Sequence, residues 1–262
     1  MKKYVFMFED GSSKMQNLLG GKGANLSEMS NLNIPVPPGF IISTEACIYF
    51  MKNKKYPPGL KKQIINALKK IEQKLKKNFG DNKNPLLLSV RSGARKSMPG
   101  MMETILNIGL NQKTILGLVK QTQNKRFAYD SYRRLLTMYA DVVMEKSNGL
   151  NCNIRGQLEG VLDKIKAKNK YHHDSELSSN ELISICHQYE KNIHKKFGKP
   201  FPHDSFEQLW QSIDAVFNSW NGERAKNYRK IENIPDNWGT AVNIQSMVLG
   251  NMGNSSATGV AF

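Results

Sequence analysis

The stretch from Leu86 to Leu110, which reads LLLSVRSGARKSMPGMMETILNIGL, decides how the rest of the chain is interpreted. Its apolar start, Leu86–Val90, is typical of a buried strand, and Thr104–Ile108 predicts a second strand. The loop between them, 91–100, holds two glycines, three cations and two hydroxyl side chains. Glycines let backbone N–H groups approach phosphate oxygens, and an arginine offers a planar fork that fits two of those oxygens. The pattern therefore indicates a polyphosphate site, although an ordinary hairpin with a basic loop has a similar composition.

The charge of the chain raises the question of nucleic acid. The 262 residues carry a formal charge of +16, and 30 of the 38 basic residues are lysines. Proteins that read bases favour arginine with interleaved aromatic residues, and the sequence has no helix-turn-helix, zinc-finger or RNP-type signature. We therefore interpret the charge as a solvated surface around a local phosphate site. A basic nucleic-acid binder remains an alternative, and a steep loss of affinity with salt is its signature.

Cysteines, histidines and apolar runs bear on three questions: the cellular compartment, metal binding and membrane association. Cys47, Cys152 and Cys186 are three residues at wide spacing, which predicts reduced thiols in the cytoplasm. His187 and His194 share one predicted helix but lack a third ligand at a suitable spacing, so no metal site is predicted there. No apolar run approaches the roughly 18 residues that span a bilayer, so no membrane association is expected.

The glycine cluster Gly20-Gly21-Lys22-Gly23 predicts a turn that runs into a helix. The start of a helix attracts anions through unpaired N–H groups and the helix dipole, which makes Lys22 a candidate phosphate contact. The spacing does not fit a Walker A loop. On its own, the pattern fits a glycine-rich helix start with a chance lysine equally well.

The remaining periodic segments predict an α+β chain with a long helical middle. Tyr4–Phe8 and Phe40–Ile42 read as strands, and one helix is expected from Leu60 to Phe79. Helices alone are expected from 111 to 198, with a capping box at Ser178-Ser179-Asn180-Glu181. Asp204–Lys230 is predicted to be a long helix whose apolar face is interrupted near its end by Asn221-Gly222-Glu223-Arg224. Ala241–Leu249 and Gly259–Phe262 are predicted to form a hairpin.

Four motifs resemble the nucleotide-binding domain of the pyruvate, phosphate dikinase family, and with them the resemblance extends over essentially the whole chain. They are GGKGANLSEM with PVPPGF at 20–40, the loop VRSGARKSMPGMMET at 90–104, FAYDSYRRLLTMYADVV at 127–143, and GTAVNIQSMVLGNMGNSSATGVAF at 239–262. The run SMPGMM is the most specific of them. The resemblance implies an α+β, ATP-grasp-like domain with an all-helical insertion and an incomplete second lobe. The implied bounds are 1–111 with 199–238 for the first lobe, 112–198 for the insertion and 239–262 for the start of the second lobe.

The resemblance also implies an activity and a set of site residues. The family converts ATP, phosphate and pyruvate reversibly to AMP, pyrophosphate and phosphoenolpyruvate. The residues implied in catalysis are Lys22, Arg91 and Arg134. Those implied in nucleotide binding are Lys22, Arg91, Ser97, Met98, Gly100, Met101, Thr104, Gln245, Met247 and Val248. Arg133 and Arg134 lie about 100° apart on a helix, so only one of them easily faces a site, and a solvent-facing basic pair has the same pattern.

Several parts of the implied enzyme are not expected in this chain. In the family a histidine in a T-S-H context, on a separate domain, attacks ATP and becomes pyrophosphorylated. The acidic ligands of Mg²⁺ are expected beyond Phe262, as is the pyruvate domain. We therefore expect a truncated dikinase that is inactive by itself, whose complete form is a cytoplasmic homodimer. The alternatives are a phosphoenolpyruvate synthase or another dikinase-family phosphotransferase, and a non-catalytic nucleotide-binding fragment.

Overall fold

The computed structural model describes residues 2–253 and 255–259, and these confirm an α+β chain. The strands are β1 (Val5–Met7), β2 (Gly39–Ile42), β3 (Asn78–Phe79), β4 (Pro85–Leu86), β5 (Leu88–Gly93), β6 (Thr104–Ile108) and β7 (Ala241–Ser246). The helices are α1 (Gln16–Asn31), α2 (Thr44–Asn53), α3 (Leu60–Leu75), α4 (Thr114–Thr122), α5 (Lys125–Tyr139), α6 (Ile154–Asn169), α7 (Ser179–Phe197), α8 (Ser205–Ser219) and α9 (Glu223–Ile231). They fall into two compact units. The first unit holds 1–77, 88–105 and 210–246, and the second holds 78–87, 106–209 and 247–262.

One sheet has five strands in the order β1-β2-β7-β5-β6, and its first four strands lie in the first unit. β7 runs antiparallel to both β2 and β5, and β1 runs antiparallel to β2. The registers pair Ile41 with Asn243 and Arg91 with Asn243 across the two sides of β7. Every residue of β2 and β7 is buried, including the polar residues Asn243, Gln245 and Ser246 of β7. The last strand in the chain therefore completes the middle of the sheet.

The prediction of a helix from Leu60 to Phe79 is wrong at its C-terminal end. α3 buries Leu60, Ile64, Leu68 and Ile71 as expected, but it ends at Leu75. Lys76 then adopts a left-handed φ of 52° and closes the helix by donating its N–H to the carbonyl oxygen of Glu72. Asn78 and Phe79 pair with Pro85 and Leu86 instead. The apolar period continued through Phe79 because a strand residue also turns its side chain towards a core.

The prediction of a long helix from Asp204 to Lys230 is also wrong. The chain forms α8 and α9, with Gly222 in an extended conformation between them. Trp220 is fully buried at this corner, and its indole N–H donates to the carbonyl oxygen of Asp236 at 2.8 Å. Arg229 of α9 stacks on the ring of Trp220 at 4.3 Å and pairs with Asp236 at 2.6 Å. The corner is thus held by one indole and one guanidinium, which the helical period alone does not reveal.

Asp214 gives the first unit a pH-dependent stability that can be measured. The Tyr56 hydroxyl donates to its carboxylate at 2.5 Å, and burial raises the pKa of Asp214 above its usual range. A carboxyl whose pKa is raised in the folded state favours folding in its protonated form, so this contribution is lost as the pH rises through that pKa. We expect Asp214→Asn, which keeps the acceptor without the charge, to raise the thermal midpoint of unfolding at pH 7. The gain should shrink towards pH 4.

The control for this prediction is Asp163→Asn, which neutralises an exposed carboxylate on α6. Differential scanning calorimetry of both variants between pH 4 and pH 8 compares them with the wild type. A midpoint that falls for Asp214→Asn at pH 7 would show that the charged carboxylate stabilises the fold through Lys61, whose positive charge opposes the effect of burial on the pKa of Asp214.

The second unit is largely helical, as predicted for 111–198. Ser178 and Glu181 form the predicted capping box at the start of α7. Within this unit Tyr132 of α5 donates its hydroxyl to Glu190 of α7. After α5 the chain continues as a π-helix over Ala140–Glu145. This widened turn brings Glu145 to the start of α6, where its carboxylate accepts the N–H groups of 152, 153 and 154 at 2.7 to 2.8 Å.

Two expectations about organisation are not decided by this architecture. The compact units divide the chain at places other than the predicted bounds 1–111 with 199–238, 112–198 and 239–262, and those bounds, like the ATP-grasp-like assignment, stay predictions. Residues 241–246 of the predicted hairpin form β7. Its second strand, Gly259–Phe262, lies mostly outside the described residues. Within the ranges that are described, no helix is both long and apolar enough to cross a bilayer.

Candidate functional site

α1 is interrupted at Gly20, the fifth residue of the helix. Gly20 has φ 70° and ψ 164°, which are not helical values, and the helix resumes at Gly21. A Cβ on Gly20 would lie 1.8 Å from the carbonyl oxygen of Gly93, so only glycine allows this approach between α1 and the end of β5. The N–H of Gly21 donates to the carbonyl oxygen of Ala94 at 2.9 Å. The predicted glycine turn before a helix is therefore confirmed, and it places Lys22 in the first turn after the interruption.

A cavity of about 600 Å³ lies beside this turn. Its walls come from α1, from the end of β5 and from the loop that follows, all of them in the first unit. The lining residues are Gln16, Gly21, Lys22, Asn25, Ser92, Gly93, Ala94, Arg95, Lys96, Ser97, Met98, Pro99, Gly100, Met102 and Thr104. Among these described lining residues there is no aspartate or glutamate. The cavity thus offers amides, hydroxyls, glycine backbone and three cations, a set suited to an anion.

Lys22 lines the cavity, whereas Arg91 is not among the lining residues but is close enough to Lys22 to affect its charge. Burial lowers the pKa of Lys22 below its usual range, and the positive charge of Arg91 lowers it further. Arg91 lies on β5, and its Nε is buried without a hydrogen-bond partner among the described residues. Two partly buried cations that repel each other raise the energy of the empty site. A bound polyanion removes that cost, so the arrangement favours phosphate.

Methionines and ion pairs fix the loop that covers this cavity. Met98 is buried with Trp220, Ala225 and Ile234, and Met51, Ala94, Met101, Met102, Tyr228 and Trp238 pack around that cluster. Lys96 pairs with Glu232 at 2.8 Å, and Arg224 pairs with Glu103 at 3.0 Å. The loop is therefore tied near both of its ends to α9 and the residue that follows it. The repeated methionines of the SMPGMM run are explained by this packing as well as by any contact to a ligand.

The structure brings together most of the site residues predicted from the first half of the chain. Ser97, Met98, Gly100 and Thr104 line the cavity with Lys22, and Met101 packs behind the loop. Gln245 is buried in β7 and does not line the cavity, and its amide donates to the carbonyl oxygen of Pro37 at 3.1 Å. The roles predicted for all these residues stay predictions.

The other predicted residues belong to the second unit. Arg134 is about half exposed and pairs with Asp130 at 2.9 Å, whereas its neighbour Arg133 is buried against the same aspartate. The helical spacing correctly indicated that the two arginines differ in surroundings. The N–H of Met247 donates to the carbonyl oxygen of Leu87 at 2.9 Å, and Val248 is exposed. A phosphate contact of Arg134 and adenine contacts of Met247 and Val248 stay predictions.

Sequence reasoning assigned no role to two cations that line the cavity, Arg95 and Lys96. Arg95 was counted among the three cations of the loop but received no role, because the resemblance singled out Arg91. The guanidinium of Arg95 lies 5.2 Å from the ring centroid of Trp238. No sequence signal links these two residues, since they are far apart in the chain. Their proximity follows from the α9 corner that brings Trp238 next to the loop.

Metal-binding side chains do not gather at this site. In the described part of the chain, no group of three or more His, Cys, Asp or Glu residues is arranged to hold a metal ion. His187, His194 and His203 line a separate cavity of about 270 Å³ in the second unit. Cys47 and Cys186 are buried free thiols, and Cys152 is a half-buried free thiol.

Comparison with known proteins assigns the chain to a family. It matches the sequence model described as the pyruvate phosphate dikinase AMP/ATP-binding domain over residues 16–60 and 53–262. It is 46% identical over 265 residues to the pyruvate, phosphate dikinase of Clostridium symbiosum, covering 100% of this chain and 29% of that protein. It is 47% identical over 251 residues to the enzyme of Giardia intestinalis, covering 96% of this chain and 28% of that protein.

The chain is similar to a plant enzyme as well. The chain is 46% identical over 266 residues to the chloroplastic pyruvate, phosphate dikinase of Flaveria pringlei, covering 100% of this chain and 27% of that protein. The chain thus spans less than a third of the length of these relatives. Because the family model extends over nearly all of it and includes the glycine turn, the phosphate loop and β7, the chain belongs to the pyruvate phosphate dikinase family.

Proposed function

We propose that this chain binds ATP in the cavity beside Lys22 and serves as the ATP-binding part of a pyruvate, phosphate dikinase. The observation that carries the proposal is the absence of any carboxylate among the described lining residues of a cavity that holds Lys22, Arg95 and Lys96. Such a cavity repels no phosphate and offers charge-assisted hydrogen bonds to several of them. The named relatives are dikinases, so a phosphoenolpyruvate synthase is not favoured.

In the proposed reaction the β,γ-pyrophosphoryl group of ATP moves to a histidine of another domain. The histidine nitrogen forms a bond to the β-phosphorus, the bond between that phosphorus and the α,β-bridging oxygen breaks, and AMP leaves with the oxygen. Pyruvate and inorganic phosphate are consumed in later steps. The part played by this chain is positioning and charge neutralisation, in which Lys22 and Arg91 offset the charge that accumulates on the transferred group.

Mg²⁺ belongs to the proposal only as the counter-ion that accompanies ATP in such reactions. Its usual ligands are carboxylate and other oxygen atoms. Because the described residues that line the cavity include no carboxylate, they do not fit a Mg²⁺ centre. The metal ligands are therefore assigned to no residue of this chain.

The remaining partners follow from the proposed reaction. The phosphohistidine domain of the complete protein would bring its histidine to this site and then carry the phosphoryl group to the pyruvate domain, and the complete protein is proposed to be a homodimer. A cytoplasmic location is proposed because all three cysteines are free thiols, which reducing compartments maintain. Size-exclusion chromatography with light scattering tests the dimer.

Removal of the Lys22 charge tests the proposed site. We expect Lys22→Met to weaken ATP binding at least about tenfold, and adenosine binding much less, because the lost interaction is with phosphate. Isothermal titration calorimetry on the complete polypeptide that the gene encodes measures both. Since Lys22 has a lowered pKa, ATP binding should also take up protons when the pH is near that lowered pKa, and this uptake should disappear in the variant.

The matched control is Lys14→Met, which removes a lysine charge from the exposed chain just before α1. Its affinity for ATP should stay within about twofold of the wild type, because an exposed charge is screened by solvent. A wild-type protein that binds no ATP, or an equal loss in both lysine variants, contradicts the proposed site.

A further inference from the structure

We propose that Arg95 is a second arginine of the triphosphate site, held in a binding orientation by stacking on Trp238; this inference rests on the proposed function. Three observations carry it: the two neighbouring cations differ in their partners, the backbone of Arg95 is tied to α1, and Trp238 provides a flat support. Each is independent of the resemblance that singled out Arg91.

The two adjacent cations of the loop have different surroundings. Lys96 is exposed, and its ammonium pairs with Glu232 at 2.8 Å. Arg95 is half-buried, and in the described part of the chain its guanidinium is paired with no carboxylate, while its Nε is buried without any hydrogen-bond partner. A buried donor with no acceptor costs free energy, so the side chain gains from an external anion. Lys96 has such a counter-ion already, and Arg95 does not.

The backbone around Arg95 is tied to the helix that carries Lys22. The side-chain amide of Gln16 donates to the carbonyl oxygen of Arg95 at 2.7 Å, and the N–H of Gly21 donates to that of Ala94 at 2.9 Å. These contacts lie on the two sides of Gly20, where α1 is interrupted. Both Arg95 and Lys22 line the same cavity. A phosphate chain that reaches Lys22 therefore meets a loop whose backbone is already ordered.

Trp238 supplies the orientation of the guanidinium. The Arg95 Cζ lies 5.2 Å from the ring centroid, within the range of a cation–π contact. Trp238 itself packs at the edge of the cluster around Met98 and Trp220, so its ring is supported from behind. Stacking uses the face of the guanidinium and leaves its N–H edges free to donate, which a lysine cannot reproduce. Burial also lowers the pKa of Arg95, as expected for a cation that has no anion nearby.

The test compares ligands that differ in their phosphates. Dissociation constants for ATP, AMP and inorganic tripolyphosphate are measured by calorimetry on the complete polypeptide, for the wild type, Arg95→Ala, Arg95→Lys and Trp238→Phe. We expect Arg95→Ala to weaken ATP and tripolyphosphate at least about tenfold and AMP by less than about threefold. Arg95→Lys should restore part of the loss, because it keeps the charge without the fork. Trp238→Phe should give a smaller loss in the same ligand order, since phenylalanine stacks less strongly.

Two controls separate binding from folding. Lys226→Ala removes one exposed positive charge from α9, and we expect it to change all three affinities by less than about twofold. Circular dichroism melts of each variant report stability. If Arg95 only stabilised the fold through Trp238, its loss would lower the midpoint and weaken AMP and ATP equally, which would overturn the inference.

The outcomes distinguish this inference from the function on which it rests. ATP binding that depends on Lys22 but not on Arg95 removes the inference and leaves the proposed function standing. Tight ATP binding by the wild type, together with a loss of ATP and tripolyphosphate affinity but little loss of AMP affinity in Arg95→Ala, supports both. A wild-type protein that binds neither ATP nor tripolyphosphate removes both.

Discussion

Arg91→Ala is expected to reduce ATP-dependent pyrophosphorylation of the carrier histidine by about 100- to 1000-fold in the complete protein, the range typical of losing one electrostatic donor at a transferring group. Arg91 lies inside β5, two residues before its end and opposite Asn243 of β7, where the paired strands leave its backbone little freedom to move. A side chain fixed on a strand does not have to be reorganised during the reaction, so its loss falls on the rate. Rapid-quench assays with ATP labelled in the β-phosphate measure the transfer.

The thermal stability of Arg91→Ala is not expected to fall with its activity. Arg91 is near Lys22, whose pKa it lowers, and its Nε is buried without a partner among the described residues. Removing it relieves repulsion and an unmet donor, so the thermal midpoint should stay unchanged or rise. This pairing of lost activity with retained stability is typical of a functional residue.

The other half of the proposed reaction provides the control for Arg91→Ala. Exchange between pyruvate and phosphoenolpyruvate does not use ATP, and it should continue near the wild-type rate. The rate of pyrophosphoryl transfer in Arg91→Lys should lie between those of the wild type and Arg91→Ala, because lysine keeps the charge but lacks the planar fork. If both half-reactions fall together and the midpoint drops, Arg91 supports the fold instead, and the local role proposed for it is wrong.

Gly20→Ala is expected to destabilise the protein by more than about 3 kcal/mol, because it combines a strained backbone with a steric overlap. Gly20 has φ 70° and ψ 164°, a conformation that residues with a Cβ rarely adopt. The new Cβ would lie 1.8 Å from the backbone oxygen of Gly93, and a backbone atom cannot move aside without shifting β5. Urea unfolding followed by circular dichroism measures the change.

The neighbouring glycine is a matched control for that prediction. A Cβ on Gly21 would lie 3.4 Å from its nearest atom, the backbone oxygen of Arg95, and Gly21 has helical geometry. We expect Gly21→Ala to change the free energy of unfolding by less than about 1 kcal/mol. Equal effects at both positions would mean that the approach of α1 to β5 is not what requires glycine at position 20.

The sequence predicted those parts of the fold whose pattern is local. The strands around 5, 40, 90 and 105 and the capping box of Ser178 were found because each depends on a few adjacent residues. The end of α3 was missed, and the interruption at residues 221–224 was noted but not predicted to separate two helices. Both depend on partners outside the helical repeat: Phe79 pairs with Leu86, and Trp220 donates its indole N–H to the carbonyl oxygen of Asp236. An apolar period does not tell whether a side chain is buried from a helix or from a strand.

The residues of the candidate site also divide into those that the sequence predicted and those that it did not. Lys22 and the loop from Ser97 to Thr104 were predicted from a glycine cluster and a resemblance, and the structure places most of them around one cavity. Arg95 was missed because its distinguishing partner is Trp238, which no spacing rule connects to the loop. Gln245 was expected near the nucleotide, but its amide is used by Pro37 within the sheet. Partners of this kind become visible only when the sheet order is known.

The position of β7 has a consequence for the newly made chain. Its strand lies between β2 and β5, so these two strands have no shared neighbour until Ala241–Ser246 has been synthesised. At typical rates a ribosome needs roughly 7 to 30 s to proceed from Gly93 to Ala241. For that period the emerging polypeptide presents two unpaired inner strand edges, a template for association with other nascent chains. A chaperone that shields extended segments would therefore act on this protein before its last strand arrives, and translation speed upstream of residue 241 would influence its yield.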